Sequence, residues 1–410
     1  MTDPDAPAGL LPPFRAVSYP WRLYSGANAL DHLPAEVARH GARRAFVLCG
    51  QTVAHRTNLL ARLRDRLGEA WGGVFDRMDK DSSYAAVQAA TDAARAAGAD
   101  LLVAAGGGSV IVGTRAVAIF LAEKGDPYAL MTQYPEGKPA VSPRLLAPKL
   151  PIVNVPTTPT SAMNRAGTGL RNDALDHRME FFDPKTRPVA LFWDDEALLT
   201  APLELARSTG TTTFTGCLHA DASPSANPLF DGDQRHALRL ALRALPRLVA
   251  DPGDARPRVE LCAAAFLQNR AADDGGTLIA RAGAASAAYA LATALHVRYD
   301  HVGQGEATSA VTPGVVRERG AGRGDGLPRM AEALGVSSDS PDGASAAAVA
   351  AALRDFYRGL GMPARVRDLD ISEAELPLLA RDTLKNFNAN RGARAADHVD
   401  QMLALLRACW

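Results

Sequence analysis

The sequence predicts an α/β amino-terminal domain over residues 1–196 and an all-α carboxyl-terminal domain over 197–410. Short apolar runs alternate with helical stretches through the first half, and a glycine-rich turn follows the third of those runs. Past about residue 197 the strand-like runs give way to Ala/Leu/Arg-rich helical periodicity, with the boundary near Asp194-Asp195-Glu196. Strands alternating with helices imply a largely parallel sheet covered on both faces.

Residues 44–49 read as a buried strand, and 57–68 as an amphipathic helix with Leu59, Leu60, Leu63 and Leu67 on one face. A second strand at 72–76 precedes a helix over 83–97, with Ser82 and Ser83 as cap candidates and Gly98 as its stop. The third strand, 100–105, leads into Gly106-Gly107-Gly108-Ser109 and a helix-like run to Ala122. Strand, tight glycine turn and helix start let backbone N–H groups approach a pyrophosphate closely. Further strands are read at 149–155 and 188–193, and helices at 234–249, 258–272, 282–298, 344–360 and 395–409. The Gly/Arg-rich stretch 318–327 reads as a solvated loop.

Forty-five basic residues balance 45 acidic ones, which gives no reason to expect a nucleic-acid or anionic-membrane partner. The four cysteines, Cys49, Cys217, Cys262 and Cys409, are widely spaced with no CxxC pair, so a cytoplasmic protein is expected. The acidic, Pro-rich start lacks the features of a signal peptide, and no apolar run reaches membrane-spanning length.

The glycine loop, Pro156-Thr157-Thr158 after the next strand, Leu199-Thr200-Ala201-Pro202, and Thr209-Gly210 leading to Ala226-Asn227-Pro228 occur in one order. Together they resemble the iron-containing alcohol dehydrogenase family, whose superfamily includes dehydroquinate synthases, glycerol dehydrogenases and maleylacetate reductases. The resemblance implies a Rossmann-like nucleotide domain, a helical domain of the dehydroquinate synthase type, a cleft between them and a homodimer. It carries pyrophosphate binding onto Gly106, Gly107, Gly108 and Ser109, and nucleotide contact onto Thr157 and Thr158. Where the family has Asp and Lys after the loop, this chain has Val112 and Arg115. Arg115 is a candidate phosphate-side cation. At the end of the first strand, Gly50 stands where NAD-preferring members carry an acid, and Arg56 follows. That pair favours NADP(H) over NAD(H), although Arg56 also reads as a solvated helix-start residue.

The resemblance places the four family metal ligands, an Asp and three His, at Thr212, Gly216, Tyr289 and Gln304. Glycine offers no ligand atom, and neutral Thr, Tyr and amide side chains bind iron or zinc poorly. A metal-independent enzyme is expected, with carbonyl polarisation and protonation left to side chains. Tyr289, Gln304, His219 and His301 are the catalytic candidates, and Asn164, Arg165 and Arg178 the substrate-binding ones; each histidine and arginine also reads as a structural or solvated residue. The expected activity is NAD(P)H-dependent reduction of a small anionic aldehyde or ketone. The alternatives are a non-redox lyase or cyclase on the same scaffold, and a catalytically dead nucleotide-binding homologue.

Overall fold

The computed structural model describes residues 14, 16–135, 141–175, 177–223, 227–273, 283–320, 326–337, 344–384 and 398–410. Six strands form one wholly parallel sheet: β1 (Arg22–Gly26), β2 (Ala45–Leu48), β3 (Trp71–Phe75), β4 (Leu101–Gly106), β5 (Ile152–Pro156) and β8 (Ala190–Asp194). Their order is β1-β8-β5-β4-β2-β3. β6 (Gly167–Leu170) and β7 (Met179–Phe182) make a separate antiparallel hairpin. The helices of this half are α1 (Leu33–Arg39), α2 (Gln51–Arg56), α3 (Leu59–Leu67), α4 (Tyr84–Ala96), α5 (Gly108–Ala122), α6 (Pro127–Leu130) and α7 (Asp195–Leu199).

The strands read as continuous apolar runs because both faces are covered, and their two-residue period sorts side chains between two cores. Phe46, Leu48, Leu102, Ala104, Ile152 and Leu191 pack with α4 and α5. Their neighbours Ala45, Val47, Leu101, Val103, Val153 and Phe192 pack with α1 and α3 through Leu33, Val37, Leu59 and Leu63. Ser83 caps α4, its Oγ accepting from the Ala86 amide at 3.2 Å. Gly98, at φ +63°, then turns the chain toward β4.

The second half is helical: α8 (Leu203–Asp221), α9 (Pro228–Ala250), α10 (Ala255–Asp273), α11 (Gly283–Arg298), α12 (Gln304–Arg319), α13 (Gly326–Ala333), α14 (Ala346–Gly359), α15 (Leu376–Thr383) and α16 (Val399–Cys409). One core joins α8, α9, α10 and α14 around Phe214, Leu245, Leu261 and Tyr357. A second joins α11, α12, α15 and α16 around Leu291, Leu295, Val311 and Leu406. α10 also meets the α/β domain, where Phe266 packs edge-on against Trp193 and Trp21.

Four sequence expectations need correction. The helix expected over 57–68 starts at Leu59, and 51–56 forms its own helix, because Thr57 turns its hydroxyl back to the Val53 carbonyl at 2.8 Å. β1 was overlooked: its run is short and half-exposed, and it pairs with β8 inside the same chain. Glu318 and Arg319 belong to α12 and 326–327 to α13; the rest of the expected 318–327 loop lies partly outside the described residues. The helix expected from 395 begins at Val399, and 395–397 lie outside the described residues.

α12 crosses α8 closely. A Cβ on Gly305 would sit 2.1 Å from the Ser208 carbonyl oxygen, and the Gly305 amide donates to Ser208 Oγ at 3.1 Å. Backbone occupies that space and cannot swing away. Gly305→Ala is therefore expected to cost about 1–3 kcal/mol through overpacking. Urea unfolding checks this: the midpoint should fall at constant m, and an unchanged midpoint would contradict the packing argument.

Candidate active site

From β2 the chain passes to β3 on one side and then to β4 on the other. The direction of winding reverses there, and in open parallel sheets the crevice outside the strand carboxyl ends at such a point is where ligands bind. Gly50 and Gly106 mark the two sides of this crevice.

Gly106 ends β4, Gly107 holds the cap position of α5, and Gly108 is its first residue. No side chain caps this helix, so its first-turn N–H groups remain available to an anion. A Cβ would lie 2.6 Å from Val110 Cγ2 at Gly106, 3.4 Å from Thr158 Oγ1 at Gly107, and 3.0 Å from Thr160 Oγ1 at Gly108. Only glycine leaves this floor open beside the Pro-Thr-Thr turn. Thr157 donates its amide to the Gly106 carbonyl at 3.1 Å, which ties the two turns together. Thr158 Oγ1 is buried without a hydrogen-bond partner. An uncapped helix start, an open glycine floor and an orphaned buried hydroxyl fit a dinucleotide pyrophosphate.

Asp81 stands at the centre of the cleft. It follows β3 in a left-handed conformation, φ +62°, as does Ser82 at +50°. The glycine loop fixes this unusual backbone: Ser109 Oγ accepts from the Asp81 amide at 3.0 Å, and Ser82 Oγ donates to the Ser109 carbonyl at 2.5 Å. Asp81 Oδ1 then meets Arg178 Nη2 of the hairpin at 3.2 Å and His296 Nε2 of α11 at 3.1 Å. His296 Nδ1 faces the Val302 carbonyl at 2.9 Å. Burial alone would raise the Asp81 pKa, but the His296 ring and the Arg178 guanidinium outweigh it and hold the carboxyl well below the usual carboxylate range.

Beside Asp81 opens a cavity of about 560 Å³ between the hairpin, α11 and α15, with Tyr134, Arg171, Arg178 and Glu180 on one wall and Thr293, Val297 and Arg298 on the other. The charges differ in how far they are committed. Arg298 pairs with Asp382 at 2.9 Å and Arg178 with Asp81, whereas Arg171 reaches Asp79 and Asp173 only at 3.7 Å and leaves its buried Nε without a hydrogen bond. Glu180 accepts from the Tyr134 hydroxyl. Burial raises its pKa against the opposing influence of that hydrogen bond, Arg178 and His177.

Comparison with known proteins identifies this architecture. Residues 20–195 match the model for iron-containing alcohol dehydrogenase, and 207–410 match the carboxyl-terminal model of the same family. The chain belongs to the iron-containing alcohol dehydrogenase family. It is an NAD(P)-dependent oxidoreductase. Maleylacetate reductase 2 of Cupriavidus pinatubonensis is 29% identical over 63% of each chain, and lactaldehyde reductase of Escherichia coli is 24% identical over 94% of this chain and 97% of that one. Two solved structures share the fold. Maleylacetate reductase from Rhizobium sp. strain MTP-10005 has a TM-score of 0.73 at 22% identity, covering 97% of this chain and 98% of that one. Alcohol dehydrogenase from Oenococcus oeni has a TM-score of 0.79 at 18% identity, covering 97% and 100%.

The residues at this family's metal positions do not fit a divalent ion. Gln268 of α10 lies over Gly216, its Nε2 2.2 Å from where a Cβ would be. A ligand side chain at 216 would collide with it. Thr212 turns its hydroxyl back to the Ser208 carbonyl at 3.3 Å, and Tyr289 and Gln304 are both exposed. Among the described residues, no three His, Cys, Asp or Glu side chains cluster as a metal site.

Several sequence-derived candidates take other places. Arg115 is buried and donates to the Arg165 carbonyl at 2.6 Å; burial, with Arg165 and Arg187 nearby, pushes its pKa down to about 9. It braces the core beneath α5 and does not reach a phosphate. Asn164 is fully buried, donating to the Phe266 carbonyl and accepting from Asn269, while Arg165 donates to Asn269 Oδ1 at 2.6 Å. Both tie the α/β domain to α10. His301 is exposed and its Nε2 faces the Leu369 carbonyl at 3.1 Å, outside the cavity. His219 is buried with neither ring nitrogen hydrogen-bonded, and burial lowers its pKa to about 4. Arg56 is exposed at the end of α2. Tyr289 lies one turn before Thr293 on α11 and is exposed; it is not among the residues that line the cavity. Arg178 does line the cavity.

Sequence reasoning missed Asp81, Glu180 and Tyr134. A signal existed for two of them: Asp81-Ser82-Ser83 is a polar triplet at a strand carboxyl end, and Glu180 is a lone acid between Met179 and Phe181. His296 was not among the candidates either, because its partner comes from 215 residues away.

The neutral, buried His219 makes stability depend on pH. The unfolded chain binds the proton near pH 6.5 and the native state only near 4, so ΔG of unfolding should fall by up to ~3 kcal/mol as pH drops through that window. Urea titrations across it should show this slope in the wild type and lose it in His219→Phe. An equal slope in both would place the proton elsewhere.

Proposed function

We propose that this family member is a metal-independent NADP(H)-dependent reductase of a small carbonyl compound bearing a carboxylate. The observation that carries this reading is Arg171: a guanidinium that meets Asp79 and Asp173 only at 3.7 Å, in the cavity that Asp81 also lines, is matched to a carboxylate. Two relatives are named for acids: maleylacetate reductase 2, and 4-hydroxybutyrate dehydrogenase of Cupriavidus necator at 26% identity over 87% of this chain and 90% of that one. Gly106, Gly107, Gly108, Thr157 and Thr158 would hold the pyrophosphate. The dinucleotide, when bound, supplies the hydride at C4 of its nicotinamide. Gly50, just after β2, would face a ribose 2′-phosphate, with Arg56 as the next cation along the chain. Arg171 orients the acid group, and Asp81, pinned by His296 and Arg178, sets the charge facing the carbonyl. Four free, buried cysteines suit a cytoplasmic setting, and a homodimer is the assembly we expect.

Calorimetric titration tests the cofactor assignment. NADPH should bind more tightly than NADH, and Gly107→Asp should abolish both by setting a carboxylate against the phosphates. Absence of dinucleotide binding in the wild type would refute the reductase reading and favour lyase chemistry on the same scaffold. Substrate class is tested by Arg171→Ala against matched aldehydes with and without a carboxylate. KM for the acid should rise about 10- to 100-fold, the loss of one charge-assisted contact, while the neutral analogue changes little. Equal effects on both would remove Arg171 from substrate recognition.

A further inference from the structure

The cavity holds two carboxyl groups whose surroundings act in opposite directions. Asp81 receives two cationic partners, His296 and Arg178. Glu180 bonds to no cation among the described residues: it accepts from the neutral Tyr134 phenol, and Arg178 and His177 act on it only through space, against its burial. When neighbouring titratable groups are driven apart in this way, one is kept as a charge and the other as an acid.

The fold builds the second arrangement deliberately. Glu180 lies opposite Gly169 across the hairpin, and the missing side chain there gives Arg178 and Glu180 room on one face, their Cδ and Cγ 3.5 and 3.6 Å from where a Cβ would stand. The Thr132 amide donates to the Glu180 carbonyl at 2.6 Å, which fastens β7 to the segment that carries Tyr134. His177 packs edge-on against the Tyr134 ring, centroids 5.0 Å apart. The phenol donates to Oε2, so Oε1 is the oxygen left to carry a proton into the cavity.

We propose that Glu180, held by Tyr134, is the general acid that protonates the substrate oxygen during carbonyl reduction in this cavity. The proposal rests on the reductase reading above. The carbonyl carbon gains the hydride, with both electrons of the broken C–H bond of the reduced dinucleotide. The bond from Oε1 to its proton breaks as the substrate O–H forms. The products are an alcohol, the oxidised dinucleotide and a Glu180 carboxylate that regains its proton from solvent. Burial favours the protonated carboxyl, and closure over cofactor and substrate strengthens that preference by removing water.

Other charged groups face Glu180 from every side. The hairpin contributes Arg171, Asp173, His177 and Arg178, and the loop before α4 contributes Asp81. The helical domain contributes Arg298, already paired with Asp382, and Glu375, which accepts from the Tyr299 hydroxyl at 2.7 Å. Asp382 neutralises Arg298, and Glu375 is held by the neutral Tyr299 phenol; the assignment of the alkaline limb to Glu180 therefore rests on its loss in Glu180→Gln.

The test is the pH profile of NADPH-dependent reduction of the best-turned-over carboxylate-bearing aldehyde, for wild type, Glu180→Gln and Tyr134→Phe. Wild-type kcat should fall as pH rises through the Glu180 ionisation. Glu180→Gln should lower kcat about 10²- to 10³-fold, lose that limb and bind NADPH within twofold of wild type. Tyr134→Phe should move the limb to higher pH, because the phenol stabilises the carboxylate. A Glu180→Gln enzyme that keeps half the wild-type kcat, or the limb, overturns the proposal. An infrared pH titration of the NADPH complex is independent of any substrate. The protonated-carboxyl band lost in Glu180→Gln should titrate above the ordinary glutamate range, and a band titrating at or below that range also overturns it. Failure to bind NADPH at all would instead count against the reductase reading.

Discussion

The architecture of the cleft depends on one half-buried carboxylate. Asp81 sits in a left-handed conformation that non-glycine residues rarely adopt, at an energetic cost of order 1–3 kcal/mol. A charge withdrawn from water also needs compensation from close partners. Both demands are met from three directions: Ser109 of the glycine loop takes the backbone, and Arg178 of the hairpin and His296 of α11 take the carboxylate. The nucleotide loop, the cavity wall and the helical domain therefore converge on one side chain. Its contribution to stability is fully present above the ordinary aspartate pKa of about 3.9 and is lost as pH falls below it toward the depressed native value.

With the cleft fixed in this way, charge is distributed by protein groups. Gln268 fills the space over Gly216 that a ligand side chain would need, and Thr212, Tyr289 and Gln304 carry only neutral groups. What remains nearby is a pinned carboxylate, a raised carboxyl, and arginines in different states of commitment. Preorganised charges in a site from which water is excluded stabilise developing charge without reorganising at the moment of reaction. The proposed chemistry is built on that arrangement.

The fold was legible because its signals are local. Apolar runs at 44–49 and 100–105, the Ser83 cap and the Gly106–Ser109 turn each follow from neighbouring residues, and the helical periodicity of the second half needs no partner to be seen. The glycine loop was legible for the same reason. The remainder of the site was obscured because its contacts are long-range. Nothing near Asp81 in sequence announces that His296 will reach it, and nothing near Asn164 announces Asn269. Arg115 misled because a cation just beyond a phosphate loop resembles a phosphate ligand until helical geometry turns it into the core. β1 was too short and too mixed in character to stand out from loop.

In the proposed reaction, fixed protein charges, and not a divalent ion, support carbonyl reduction in this cleft. Steady-state NADPH oxidation by protein stripped with a chelator, and shown by elemental mass spectrometry to be metal-free, tests it most directly. The proposed reaction requires the same kcat before and after stripping, and no gain on adding iron(II) or zinc. Activity that disappears on stripping and returns with stoichiometric metal would contradict it.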